Sequence, residues 1–127
     1  MERRLSTIPV ISIVDDDDAV REATRGFVRS LGYAAEAFSS GAEFLASPVL
    51  RDTSCLITDL HMPGLSGLDL QDRLIAEGYR FPIIFLTGYP DENVRTRAMK
   101  AGAIGFLIKP PNHHDLVEHL EKALQAN

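Results

Sequence analysis

The chain has a single cysteine in 127 residues, which excludes an internal disulfide framework and fits a reducing compartment. No apolar stretch approaches the roughly 20 residues of a membrane span. The Met1-Glu2-Arg3-Arg4 start lacks the apolar core of a signal peptide, so a soluble, cytoplasmic protein is expected. Positive charge is in the minority, with 13 basic against 18 acidic residues and a net charge of -5. A nucleic-acid surface is therefore not expected. Linkers, repeats and low-complexity tracts are absent. Apolar residues make up 45% of the chain, enough for one core, and a single domain over residues 8–126 is the expectation.

Several motif frames are missing as well. Gly64-Leu65-Ser66-Gly67 is not a G-x-S-x-G elbow, and no G-x-x-x-x-G-K-[ST] phosphate loop occurs. The aspartate run Asp15 to Asp18 lacks the glycine and distant glutamate of a calcium loop. His113, His114 and His119 follow no zinc-binding frame and are expected to be solvated at a helix start.

Four apolar runs dominate what is present: Ile8 to Val14, Cys55 to Thr58, Phe81 to Leu86, and Ala103 to Ile108. Each has the length and composition of a buried strand. They end on Asp15, Asp59, Thr87 and Lys109 respectively. Cys55 lies inside a run and reads as a small core residue. Tyr33 to Phe38 is a weaker fifth strand.

Segments with helical spacing alternate with these runs. Val20, Ala23, Phe27, Val28 and Leu31 share one helix that an aspartate caps and Gly32 stops. Ser39 or Ser40 opens a short helix over Ala42 to Ala46, which Pro48 ends. Ser66 with Asp69 resembles a capping box for a helix stopping at Gly78. Asp91 opens a helix stopping at Gly102, and Asn112 and Asp115 cap the last. Strict alternation implies a parallel sheet with helices on both faces.

In such a sheet, ligands bind at the carboxyl ends of the strands. There Asp15, Asp16 and Asp59 would repel one another unless a cation joined them. Mg²⁺ suits a few carboxylates plus waters and phosphate oxygens. Beside it, Lys109 and Thr87 would contact phosphoryl oxygens and Asp59 would be the nucleophile. Taken singly, each residue has a plainer account: Asp15 to Asp18 a solvated helix cap, Asp59 a turn former, Lys109 a surface residue. Their shared placement on four strand ends favours the joint reading. An alternative is a small HAD-type phosphatase with Asp15 as nucleophile and Asp17 as acid/base.

The motifs Val14-Asp15-Asp16, Thr58-Asp59-Leu60-His61-Met62-Pro63-Gly64, Thr87-Gly88 and Lys109-Pro110, in this order, resemble the receiver domain of two-component response regulators. The resemblance runs from about Pro9 to Leu124 and is strongest to the FixJ-like branch. It implies an α/β flavodoxin/CheY-like fold, a doubly wound five-stranded parallel sheet in the order 2-1-3-4-5 with five helices. It implies a phosphorelay module in which Asp59 accepts a phosphoryl group from a sensor histidine kinase. Asp16, Asp59 and the His61 backbone carbonyl would hold Mg²⁺ (or Mn²⁺), with Asp15 helping through water, while Asp17 and Asp18 cap the first helix. Lys109 would pair with the phosphoryl group, Thr87 would move to it, and Phe106 would turn inward as the switch aromatic. The Lys109-Pro110 bond is expected to be cis.

The same resemblance implies that the domain catalyses only its own phosphorylation and dephosphorylation. Its fourth helix, fifth strand and fifth helix would face a homodimer partner or a downstream protein. The domain itself would bind no nucleic acid and no membrane. It would stand alone or form the N-terminal part of a transcriptional regulator. His61 either modulates water attack on the phosphoryl group or is a solvated loop residue.

Overall fold

The computed structural model describes residues 8–125. The expectations for Met1-Glu2-Arg3-Arg4 and for a domain end at residue 126 concern positions outside the described residues. Five strands alternate with five helices: β1 (Val10–Val14), α1 (Asp18–Ser30), β2 (Ala34–Phe38), α2 (Gly41–Ala46), β3 (Cys55–Asp59), α3 (Gly67–Ala76), β4 (Ile83–Thr87), α4 (Glu92–Lys100), β5 (Gly105–Ile108) and α5 (His113–Gln125). The sheet order is β2-β1-β3-β4-β5, and every pairing is parallel. This is the expected doubly wound architecture.

The central strands are buried along nearly all of their length and mostly apolar, because both of their faces are covered. Successive residues divide between two cores. Leu56 and Phe85 pack with Phe44, Leu70 and Leu74 on the α2–α3–α4 side. Ile57 and Ile84 pack with Val28, Leu116 and Leu120 on the α1–α5 side. Burying a side chain of this size contributes roughly 1.5–3 kcal/mol. Cys55 is fully buried, and burial pushes its thiol up to about 12.

Strands β1, β4 and β5 begin two residues inside their apolar runs and β2 one residue inside, and for β4 and β5 the backbone shows why. Pro82 still accepts from the Leu56 N–H at 3.0 Å, but it has no N–H of its own to give, so β4 begins at Ile83. Ala103 gives its N–H to Ala98 at the end of α4, and β5 begins at Gly105.

The caps follow the sequence with three adjustments. Asp17 alone of the expected pair is the cap of α1, accepting from the Val20 N–H at 3.0 Å, while Asp18 is the first residue of the helix. Ser40 caps α2, and Pro48, instead of only ending that helix, opens a 3₁₀ turn over Pro48–Asp52. Asn112 alone caps α5, accepting from the N–H groups of His114 and Asp115 at 2.8 and 3.3 Å; Asp115 lies inside the first turn. Ser66 and Asp69 do form a reciprocal capping box. Gly32, Gly78 and Gly102 follow α1, α3 and α4, Gly102 at a φ of 106° that a side chain would strain.

Helix α4 is held differently from the rest. Ala98 is its only buried residue. Two polar links tie it to α3. The buried Gln71 amide donates to the Ala98 carbonyl at 3.1 Å, and Arg97 pairs with Asp72 at 2.9 Å.

Candidate functional site

Strand register assembles the site. Val14 lies opposite Thr58, Asp59 opposite Leu86, and Thr87 opposite Ile108. Asp15, Asp59, Thr87 and Lys109 therefore emerge side by side at one sheet edge. Carboxylate oxygens of Asp15, Asp16 and Asp59 all lie within 4.8 Å of one another. The Lys109 Nζ donates to Asp15 Oδ2 at 2.8 Å and to Asp59 Oδ2 at 3.2 Å.

Asp15 is anchored through both oxygens, since its Oδ1 accepts from the Asp17 N–H at 2.9 Å. Asp16 is exposed while Asp15 and Asp59 are buried. The cis Lys109-Pro110 bond is present, and the Lys109 N–H donates to the Thr87 carbonyl at 2.8 Å.

The electrostatics explain what the cluster can hold. Burial pushes the Asp59 carboxyl above its usual range and the Asp15 charge adds to this, while Lys109 opposes both. For Lys109 burial acts to lower the ammonium, but the hydrogen bond and charge of Asp15, with those of Asp59, outweigh it and leave it raised. Three carboxylates against one ammonium leave two uncompensated negative charges. Like charges about 4 Å apart repel by roughly 4 kcal/mol at the effective dielectric near a protein surface. A hard divalent cation with oxygen ligands fits both the charge and the donor set.

The remaining expected residues lie around this cluster. Thr87 is buried; its Oγ1 accepts from the Tyr89 N–H at 3.0 Å. Its hydroxyl proton has no acceptor among the described residues. Phe106 is half-buried, 6.3 Å from Phe85 between ring centroids, and borders a surface cavity of about 450 Å³ with Pro90, Arg95 and Ile108. The His61 N–H points to Asp59 Oδ1 at 3.4 Å. Its ring meets Tyr89 edge-on with centroids 5.9 Å apart.

Asp17 is not in the cluster, because its carboxylate caps α1. The HAD-type alternative thereby loses its acid/base. His113 and His114 are exposed, as expected, and His119 is partly buried; each also makes a contact. His113 stacks on Phe27 at 4.0 Å, His114 faces Glu118 at 3.6 Å, and the His119 Nδ1 is 2.7 Å from the Asp115 carbonyl. None of them joins a candidate metal cluster among the described residues.

Two contributors escape sequence reasoning. Gly67, the first residue of α3, lies against the Asp59 backbone; its only signal was its position after the Ser66 cap. Arg21 reaches from α1 to the Asp15 carbonyl at 2.8 Å, and only its three-residue spacing from Asp18 hinted at a local role.

Similarity to known proteins agrees with this geometry. The model of the response regulator receiver domain matches residues 11–121. The response regulator protein TmoT of Ectopseudomonas mendocina is 45% identical over 116 residues, covering 91% of this chain and 53% of that protein. The transcriptional regulatory protein FixJ of Azorhizobium caulinodans is 43% identical over 100 residues, covering 79% of this chain and 47% of that protein. The solved structure of the response regulator StyR superposes with a TM-score of 0.88 at 41% identity, covering 95% of this chain and 61% of that one. The chain thus spans about half the length of the curated relatives it matches. A parallel sheet that brings two acidic loops and a lysine to one edge, together with a family match over nearly all of its length, identifies this chain as a member of the response regulator receiver domain family, on its FixJ-like side.

Proposed function

We propose that Asp59 is the phosphoryl acceptor of this receiver and that the surrounding residues make the transfer possible. The observation carrying this reading is the junction of Asp15, Asp16 and Asp59 with an ammonium bridging Asp15 and Asp59. An Asp59 carboxylate oxygen attacks phosphorus in a phosphohistidine of a sensor kinase. The phosphorus–nitrogen bond breaks, its electron pair stays on the imidazole, and an acyl phosphate results.

Asp16, Asp59 and the His61 carbonyl, with Asp15 through water, would hold Mg²⁺ or Mn²⁺. The ion supplies charge neutralisation for phosphoryl oxygens. Lys109 moves from its carboxylate partners to a phosphoryl oxygen. Thr87 has a buried hydroxyl proton available for another. Phe106 then fills the space that Thr87 leaves, and the cavity beside Phe106 supports a side chain with two positions. Dephosphorylation is the attack of water on phosphorus, returning the Asp59 carboxylate and inorganic phosphate.

On this reading the domain turns over no metabolite; it changes only its own state. The relative FixJ is a transcriptional regulatory protein, which supports placing this domain at the head of a transcriptional regulator. The face made by α4, β5 and α5 would pass the signal to a second copy or to a downstream protein. No helix among the described residues is long and apolar enough to cross a membrane. Intact-mass analysis after incubation with acetyl phosphate and Mg²⁺ tests the proposal. One labile phosphoryl group is expected, absent from Asp59→Asn and from a chelated control. A label persisting in Asp59→Asn would overturn it.

A further inference from the structure

Arg21 lies in the first turn of α1 and turns back toward the acidic loop. Its Nη1 donates to the Asp15 carbonyl at 2.8 Å, and its Nη2 donates to Asp18 Oδ1. The Arg21 side chain is only 15% exposed, whereas that of Asp18 is 88% exposed. An ion pair with so exposed a partner contributes little. The enclosed contact is the one to the Asp15 carbonyl.

That carbonyl belongs to the peptide unit joining Asp15 to Asp16. The rest of Asp15 is already fixed. Its N–H donates to the Phe38 carbonyl at 3.1 Å, its Oδ1 accepts from Asp17, and its Oδ2 accepts from Lys109. Asp16 has no such anchors, and no N–H donor among the described residues holds its exposed carboxylate. The direction of that carboxylate is inherited from the peptide before it. Arg21 is the only side chain among the described residues that grips this peptide.

We infer that Arg21 is a positioning residue for the cation site, locking the Asp15–Asp16 peptide so that the Asp16 carboxylate stays gathered with Asp15 and Asp59. The inference rests on the divalent-cation reading of this cluster. Its sign separates it from a charge effect. A guanidinium beside three carboxylates repels an incoming cation, so charge alone makes removal of Arg21 tighten binding. Positioning makes removal weaken it. Arg21→Met keeps the apolar stem and loses both charge and fork. Arg21→Lys keeps the charge but offers a single point donor in place of the planar fork.

The test is calorimetric titration of the unphosphorylated protein with MgCl₂, with a thermal melt of each variant alongside. Arg21→Met is expected to weaken Mg²⁺ binding about 10-fold, the usual scale for losing a group that orients a ligand, with Arg21→Lys between it and the wild type. A Met variant that binds as tightly as wild type, or more tightly, overturns the inference. So does a Lys variant equal to wild type. If the Met variant melts too low to titrate, the Lys variant decides alone by the same criterion. A wild type that takes up no Mg²⁺ brings down the cation site itself, and this inference with it. A wild type that binds beside equally tight variants brings down only the role of Arg21.

Discussion

Gly67 is pressed so closely on Asp59 that a methyl group on its Cα would stand 2.5 Å from the Asp59 carbonyl oxygen and 2.9 Å from the Leu60 Cα. Both are backbone atoms and cannot swing aside. The Gly67 N–H donates to the Leu60 carbonyl at 2.9 Å, so the start of α3 cannot slide away freely either. Gly67→Ala is expected to destabilise the domain by roughly 1–3 kcal/mol, a fall in melting temperature of about 5–10 °C for a domain of this size. Circular-dichroism melts measure it, and an unchanged midpoint would mean that α3 can shift at no cost. Acyl-phosphate formation should slow in the same variant, because the displaced backbone carries Asp59.

Asp59→Asn is expected to be more stable than the wild type at neutral pH. Burial and the Asp15 charge raise the Asp59 carboxyl in the folded state. A group raised on folding contributes fully below its unfolded pKa, and that contribution is lost as pH rises through the folded pKa. The melting-temperature advantage of Asp59→Asn should therefore be small at the acid end, grow as pH climbs past the ordinary carboxylate range, and then level off. An advantage that shrinks with rising pH would contradict the assigned direction.

Lys109→Met separates binding from transfer. Without the ammonium, Asp15 and Asp59 lose a cation 2.8 and 3.2 Å away, so Mg²⁺ affinity should stay level or rise. Labelling by acetyl phosphate should fall on the order of 10²-fold, the usual scale for losing one preorganised electrostatic partner of the transferring group. Parallel loss of both would show that Lys109 acts by holding the site's shape.

His61 and Tyr89 form an edge-to-face ring pair beside Asp59, the proposed phosphoryl acceptor, and Tyr89 is 77% exposed. His61→Ala should change the acyl-phosphate lifetime severalfold by altering water access, with little effect on the melting temperature since the ring lies at the surface. A decay rate equal to wild type in a chase experiment would leave His61 as an ordinary loop residue.

The parts legible in the sequence were those set by local periodicity and by strand-end chemistry. Buried parallel strands read as continuous apolar runs, which places Asp15, Asp59, Thr87 and Lys109 at one edge from the sequence alone. Ser66 with Asp69, and Gly102 after α4, were equally local signals. The Pro48–Asp52 turn was missed because a proline that ends one helix can also open the next turn. His113 and His114 are exposed, as their place at a helix start implies, but the stacking of His113 on Phe27 joins residues far apart in sequence and is not legible there. Arg21 and Gly67 stayed hidden for a related reason. Both act on backbone atoms of the site, and a backbone carbonyl leaves no trace in residue identity.

The way α4 is fastened has a mechanical consequence. With Ala98 its one buried residue, Val94 partly buried against the core and two polar ties to α3, this helix has only a small hydrophobic contact to overcome. Hydrogen bonds can be exchanged for others nearby, whereas a large side chain withdrawn from a core leaves a void. The sheet and the other four helices can thus keep their packing while α4 slides or re-registers. If phosphorylation at Asp59 shifts a helix, α4 is the one that can move with the least remaking of the core.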